Sequence, residues 1–116
     1  MAVTNVQNGT AVLLILGTEM TIGTVITTAG VYVLTVNLGT LANGETTRVR
    51  AYEKTLTGDA SSPVAANCVY DVSYSHVQGA PIKASPPIVT MYDLAFTLTQ
   101  TGGTLNMHTW RIDSVG

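Results

Sequence analysis

Residues 31–38 read VYVLTVNL, and the alternation in that octet decides the fold. Tyr32, Leu34, Val36 and Leu38 fall on one face while Thr35 and Asn37 end the other, the period of two that a half-buried strand requires. Working outward, GTLANG at 39–44 supplies a turn, with Asn43-Gly44 its strongest dipeptide. ETTRVRAYEKTL then sets Thr47, Val49 and Ala51 against Arg48, Arg50, Tyr52 and Lys54, one face dry and the other basic. Beyond GDASSP at 58–63, NCVYDVSYSHV places Cys68, Tyr70, Val72, Tyr74 and His76 on one side and Asn67, Asp71, Ser73 and Ser75 on the other. Pro81, Pro86 and Pro87 bracket the short piece IKAS, which is expected at a sheet edge or in a loop because proline has no backbone donor. Tyr92, Leu94, Phe96 and Leu98 form the inward face of another strand. TGGT reads as a hairpin turn, and LNMHTWRI returns with His108, Trp110 and Ile112 on one face.

Two further strands are expected at 11–16 and 19–27, and a helix at 88–93 is disfavoured by IVT. The total is seven or eight strands, predicting an all-β chain folded as an antiparallel β-sandwich or jelly roll. Residues 1–10, MAVTNVQNGT, read as a polar N-terminal arm, and 11–116 as a single domain. The arm is expected to dock either on its own domain or on a neighbour.

Composition agrees. The chain has 116 residues, the size of one domain. Of these, 19 are Thr, 14 Val and 6 Ile, so that β-branched residues number 39, and branching at Cβ suits strands. Only 12 residues are charged, 10%, against roughly 25% in ordinary soluble domains. Mean hydropathy is +0.31. A surface so bare of charge is prone to associate, which points to a protein covered by neighbouring protein.

A net charge of −2 with five scattered basic residues offers no footprint for nucleic acid or an anionic membrane. The apolar run Ala11 to Leu16 is too short to span a bilayer. The first basic residue is Arg48, so no export signal is read here. The single Cys68 fits assembly in a reducing cytoplasm.

No catalytic set emerges. His76, His108 and Cys68 show no metal-ligand spacing, and Asp59, Asp71, Asp93 and Asp113 form no dense carboxylate loop. Neither a metal nor a cofactor is expected, and no small-molecule substrate. A Cys–His nucleophilic pair is conceivable in geometry, but Cys68 falls on the apolar face of its strand, where cysteine behaves as a small hydrophobe. Gly102-Gly103 is read as a turn needing positive φ rather than a phosphate cradle. Trp110 has two readings: a platform for stacking sugar rings, or a core or interface anchor beside His108 and Ile112.

FTLTQTGGTLNMHTWRID at 96–113 and AGVYVLTVNLGTLANGETTRVRAYEKTLTG at 29–58 together resemble two hairpins of a group of small tailed-bacteriophage virion proteins. In that group an F-T-L-x-Q-T strand, a glycine turn and a strand with a central W-[KR]-[VI] close the chain, and a basic R-x-Y-x-K strand comes earlier. Members carry an aromatic and a proline before the tryptophan, where this chain has His108 and Thr109. The resemblance implies a structural protein of the virion, a decoration or cement protein on the outer capsid surface that bridges capsid subunits. Its implied partners are the major capsid protein and copies of itself, as a dimer or trimer. The alternatives are a neck, tail or fibre component and a carbohydrate-binding module. Interface residues are expected at Val3 and Val6 of the arm, at Arg48, Arg50 and Lys54, at Ile82, Pro86 and Pro87, and at Trp110.

Overall fold

Alternating inward and outward side chains build nine antiparallel strands among the described residues of a computed structural model. Those residues are 2–12, 16–41, 44–59, 65–75, 80–102 and 107–116. The strands are β1 (Val3–Val12), β2 (Met20–Ile26), β3 (Gly30–Asn37), β4 (Thr46–Glu53), β5 (Cys68–Ser75), β6 (Ile82–Ala84), β7 (Ile88–Thr90), β8 (Leu94–Gly102) and β9 (Met107–Val115). One sheet runs β1-β9-β3, with β6 and β7 pairing end to end along the far side of β3; the other runs β2-β8-β4-β5. Taken as two halves of one strand position, β6 and β7 complete the strand order of a jelly roll.

The break between β6 and β7 has a direct cause. Pro86 and Pro87 have no N–H to give the ladder, and Ser85 bridges the gap: its N–H donates to the Leu34 carbonyl (2.8 Å) and its Oγ accepts from the Leu34 N–H (3.0 Å). IKAS is thus an edge, as its prolines require.

One expectation is decided and two change. Residues 3–12 dock on their own domain, one of the two readings expected for the arm, and do so as a strand paired to β9 that forms a sheet edge. Of the strand expected at 11–16, Ala11 and Val12 end β1, Leu16 is exposed, and 13–15 lie outside the described residues. β1 has little apolar alternation because only Gln7, Gly9 and Ala11 turn toward the interior, and two of these are small. GTLANG and the TGGT segment are not hairpins: β3 and β4 lie in different sheets, as do β8 and β9. Asn43 and residues 103–106 lie outside the described residues. An inward face looks the same in sequence whether the next strand lies beside it or across the core.

The core fills the space between the sheets. Tyr32, Leu34 and Val36 of β3 with Trp110 and Ile112 of β9 pack with Val49 and Ala51 of β4, Leu94, Phe96 and Leu98 of β8, and Ile22 and Ile26 of β2. The β1–β2 side is closed by Trp110. Its indole lies so near Gly9 and Gly23 that a Cβ on Gly9 would sit 3.2 Å from the ring and one on Gly23 2.8 Å. Trp110 is 9% exposed, which removes it as a sugar platform and leaves it little surface for an interface. Beside it the Gln7 amide imitates a strand partner: Oε1 accepts from the Thr24 N–H (3.0 Å) and Nε2 donates to the Thr24 carbonyl (3.1 Å).

Gly23 has φ +66° as well as no room for a side chain. Gly23→Ala is expected to destabilise the domain by at least about 2 kcal/mol, from positive φ and from displacing Gln7 and Trp110. A denaturant melt measures this; a loss under about 0.5 kcal/mol would contradict the packing described.

Candidate functional site

The two outer faces of the sandwich differ in chemistry. On the β2-β8-β4-β5 sheet, Arg48 ion-pairs with Asp71 through two contacts, one at 2.7 Å from Nε. Arg50 reaches both Asp71 and Glu19 at 3.5 Å. Tyr52 and Thr97 donate to the Glu19 carboxylate at 2.5 and 2.6 Å. Burial pushes the Glu19 carboxyl up, but Thr97, Tyr52 and Arg50 outweigh it and hold its pKa below the ordinary value. The Arg48 hydrogen bond, with Arg50, holds Asp71 low as well. Lys54 pairs with Asp93 at 3.5 Å.

The basic face expected at Arg48, Arg50 and Lys54 is therefore neutralised within the chain, by acids drawn from three other segments. Tyr52 lies on that face yet is only 2% exposed, bonded beneath Arg50 and Glu19. Cys68 also departs from expectation. Ala51 pairs with Tyr70 and Tyr52 with Cys68, so an extra residue in β5 shifts the alternation and puts Cys68, exposed, in phase with outward Tyr52.

The outer face of the other sheet carries a different pattern, row by row. Val3 pairs with Val115 and Val31 with Val89. The Tyr32–Ser114 pair sets Val115 beside Val31 one residue on. A single row across β1, β9, β3 and β7 is thus Val3, Val115, Val31 and Val89. The next row holds Asn5, Asp113 and Val33, near exposed Pro87. The third holds Asn8, Arg111, Thr35 and Ala84, and the fourth Thr10, Thr109, Asn37 and Ile82. Val3 is 65%, Val89 70% and Ile82 59% exposed, and Met91 is exposed beyond the valine row.

Among the outward positions described on this sheet, Arg111 and Asp113 carry the charge, and they pair with each other at 2.8 Å. Asn5 donates a further hydrogen bond to Asp113 (3.2 Å). A shallow depression lies on the same face, lined by Thr35, Asn37, Ile82, Thr109, Trp110 and Arg111.

The structure sets three residues expected at an interface, Val3, Ile82 and Pro87, on one outer face, with Val3 and Ile82 at opposite corners of it. It leaves Val6 and Pro86 exposed nearby, Val6 within a bulge of β1. Arg48 and Arg50 lie on the opposite sheet, and Trp110 is inside. Sequence reasoning missed Val31, Val33, Val89 and Val115. A signal for two of them was present: the strand VYVL is apolar on both faces.

Buried His108 lies between the sheets, with Thr40 Oγ1 3.3 Å from Nδ1 and Thr47 Oγ1 3.1 Å from Nε2. The Thr40 hydroxyl donates to the Met107 carbonyl (2.9 Å), so Nδ1 carries the ring proton and Nε2 accepts from Thr47. His76 lies outside the described residues. Among the described residues no three His, Cys, Asp or Glu side chains gather where they could hold a metal ion, and no helix is long and apolar enough to cross a membrane. No family model, curated protein or solved structure matches this chain.

Burial lowers the His108 pKa below 6.5, against opposing contributions from the Asn37 backbone and Glu45. The unfolded chain takes up a proton as pH falls through about 6.5 while the folded chain keeps the ring neutral, so stability falls with pH in that window. Denaturant melts from pH 7.5 to 5 are expected to show this loss, and His108→Asn to flatten it. An unchanged slope in the variant would place the titration elsewhere.

Proposed function

We propose that this chain is a structural binding protein of a bacteriophage virion, a decoration or cement protein that seats the valine-row face on the capsid exterior and bridges neighbouring subunits. The observation that carries the reading is that row, Val3, Val115, Val31 and Val89, on a face whose charge is confined to the Arg111–Asp113 pair. Burying such a face removes aliphatic surface from water at about 25 cal/mol per Å² and strands no unpaired ion.

Other features support it. A jelly roll is a frequent architecture among viral coat proteins, although a fold by itself does not give a function. The resemblance of the 29–58 and 96–113 stretches to small virion proteins points the same way. The charges of the opposite sheet are satisfied internally, so that face needs no partner to neutralise it. A glycan-binding module is expected to expose Trp110 or a tyrosine cluster; Trp110 is buried, while Tyr70, Tyr74 and Tyr92 are half-buried. Assembly in the host cytoplasm, with the mature protein on the capsid exterior, follows from this reading.

Binding would then be driven by apolar contact rather than by charge. The full-length chain, titrated onto assembled shells prepared without it and measured by co-sedimentation, is expected to bind saturably. Val89→Lys should leave the melting free energy within about 0.5 kcal/mol and weaken shell binding at least tenfold. Arg48→Glu, on the opposite face, should leave shell binding within about twofold. Wild-type protein that is folded yet ignores shells would overturn the reading. Val89→Lys binding as wild type would remove the valine face from it.

A further inference from the structure

Four edges border the two sheets, and they are not equally protected. An open edge presents unpaired N–H and C=O groups to any passing strand, and proteins blunt such edges with charge, proline, bulges or short strands. The β6/β7 edge is split by Pro86-Pro87 into two three-residue pieces. β2 is interrupted by Gly23 at positive φ, and both the N–H and the carbonyl of Thr24 are taken by Gln7. β5 carries Asp71 at its centre, which antiparallel pairing with its own copy would set beside a second Asp71.

β1 is different. Its ten residues, VTNVQNGTAV, contain no charge and no proline. A bulge at Val6 bends the first part, but Gln7 to Val12 pair with β9 without interruption, from Ile112 to Met107. The outward side chains Asn8 and Thr10 are exposed, short and neutral.

We propose that a second copy of this chain adds to β1 along Asn8–Val12, antiparallel about a two-fold axis at Thr10, so that Thr10 faces its own copy and Gly9 faces Ala11. The occupant is a copy of the same chain because a strand with no charge along its length can face itself with no like charges opposed, and because a two-fold closes the pairing at two subunits. A two-fold perpendicular to the sheet keeps both outer faces on the same side. The pair then forms one continuous sheet and carries both valine rows on one surface. This deepens the proposed function, on which its purpose rests, by naming the partner at the β1 edge and by doubling the docking surface. The pairing itself requires no shell.

The test uses the full chain alone. Sedimentation equilibrium is expected to give a dimer for the wild type. Thr10→Lys and Thr10→Glu each place two like charges across the axis and are expected to raise the dimer Kd at least tenfold while retaining the wild-type far-UV spectrum and cooperative melt. An equimolar mixture of the two variants is expected to recover the dimer, which simple loss of fold would not allow. A monomeric wild type at high micromolar concentration would overturn the proposal. So would variants that dimerise as tightly as wild type, or a mixture that fails to recover. Because no shell is present, these outcomes are read separately from failure of shell binding: a wild-type dimer that ignores shells refutes only the docking reading, and a monomer that binds shells refutes only the pairing.

Discussion

The two sheets are held together by one layer of interlocked side chains, and every other feature depends on it. Tyr32, Leu34, Val36 and Ile112 from one sheet pack with Val49, Ala51, Phe96 and Leu98 from the other. Nearly every connection crosses this layer: of the links between successive strands, only β4–β5 and β6–β7 stay within a sheet. The chain therefore has few local hairpins on which to build, and its strands find their neighbours through contacts far apart in sequence. Such a topology makes the register of each strand a property of the whole core.

The rim of that layer is closed by particular devices at each side. On the β1–β2 side, Trp110 fills the space left by two glycines, while the Gln7 amide stands in for a strand partner at Thr24. On the opposite side, the Tyr70 and Tyr74 hydroxyls lie 3.2 Å apart, and the Lys83 ammonium sits 5.9 Å from the Tyr74 ring centroid. Both closures use large side chains that bury a broad apolar body, and the Gln7 amide and the Tyr70 and Tyr74 hydroxyls keep partners. Buried His108 follows the same rule through Thr40 and Thr47.

With the interior closed, the distribution of charge separates the two outer faces. The Arg48–Asp71–Arg50–Glu19 ladder satisfies its ions within the chain and covers Tyr52 and Thr97. The other face sets a row of valines beside one internally paired Arg–Asp couple. Exposed ion pairs of the first kind contribute little stability each, but they balance that face's charge within the chain, although Arg50 Nε has no hydrogen-bond partner among the described residues. The valine face is the one whose solvation is least favourable, and it is the one proposed to be covered.

Strand character was legible in the sequence because it is written in period two. VYVLTVNL, TTRVRAY and LAFTL each show their inward residues directly, and Pro86-Pro87 marks the broken edge. The jelly-roll order was not legible, because inward alternation is identical for a strand's neighbour in the sheet and for one across the core; the two expected hairpins are crossings for that reason. β1 was hidden because an edge strand that turns only Gln7, Gly9 and Ala11 inward shows almost no apolar period. The candidate site was legible only in part. Val3, Ile82 and Pro87 could be suspected one by one, but the valine row joins residues 3, 31, 89 and 115, which only antiparallel register brings side by side. The neutral surface was fixed by composition alone, while which face is aliphatic and which is ionic was decided by pairing across strands.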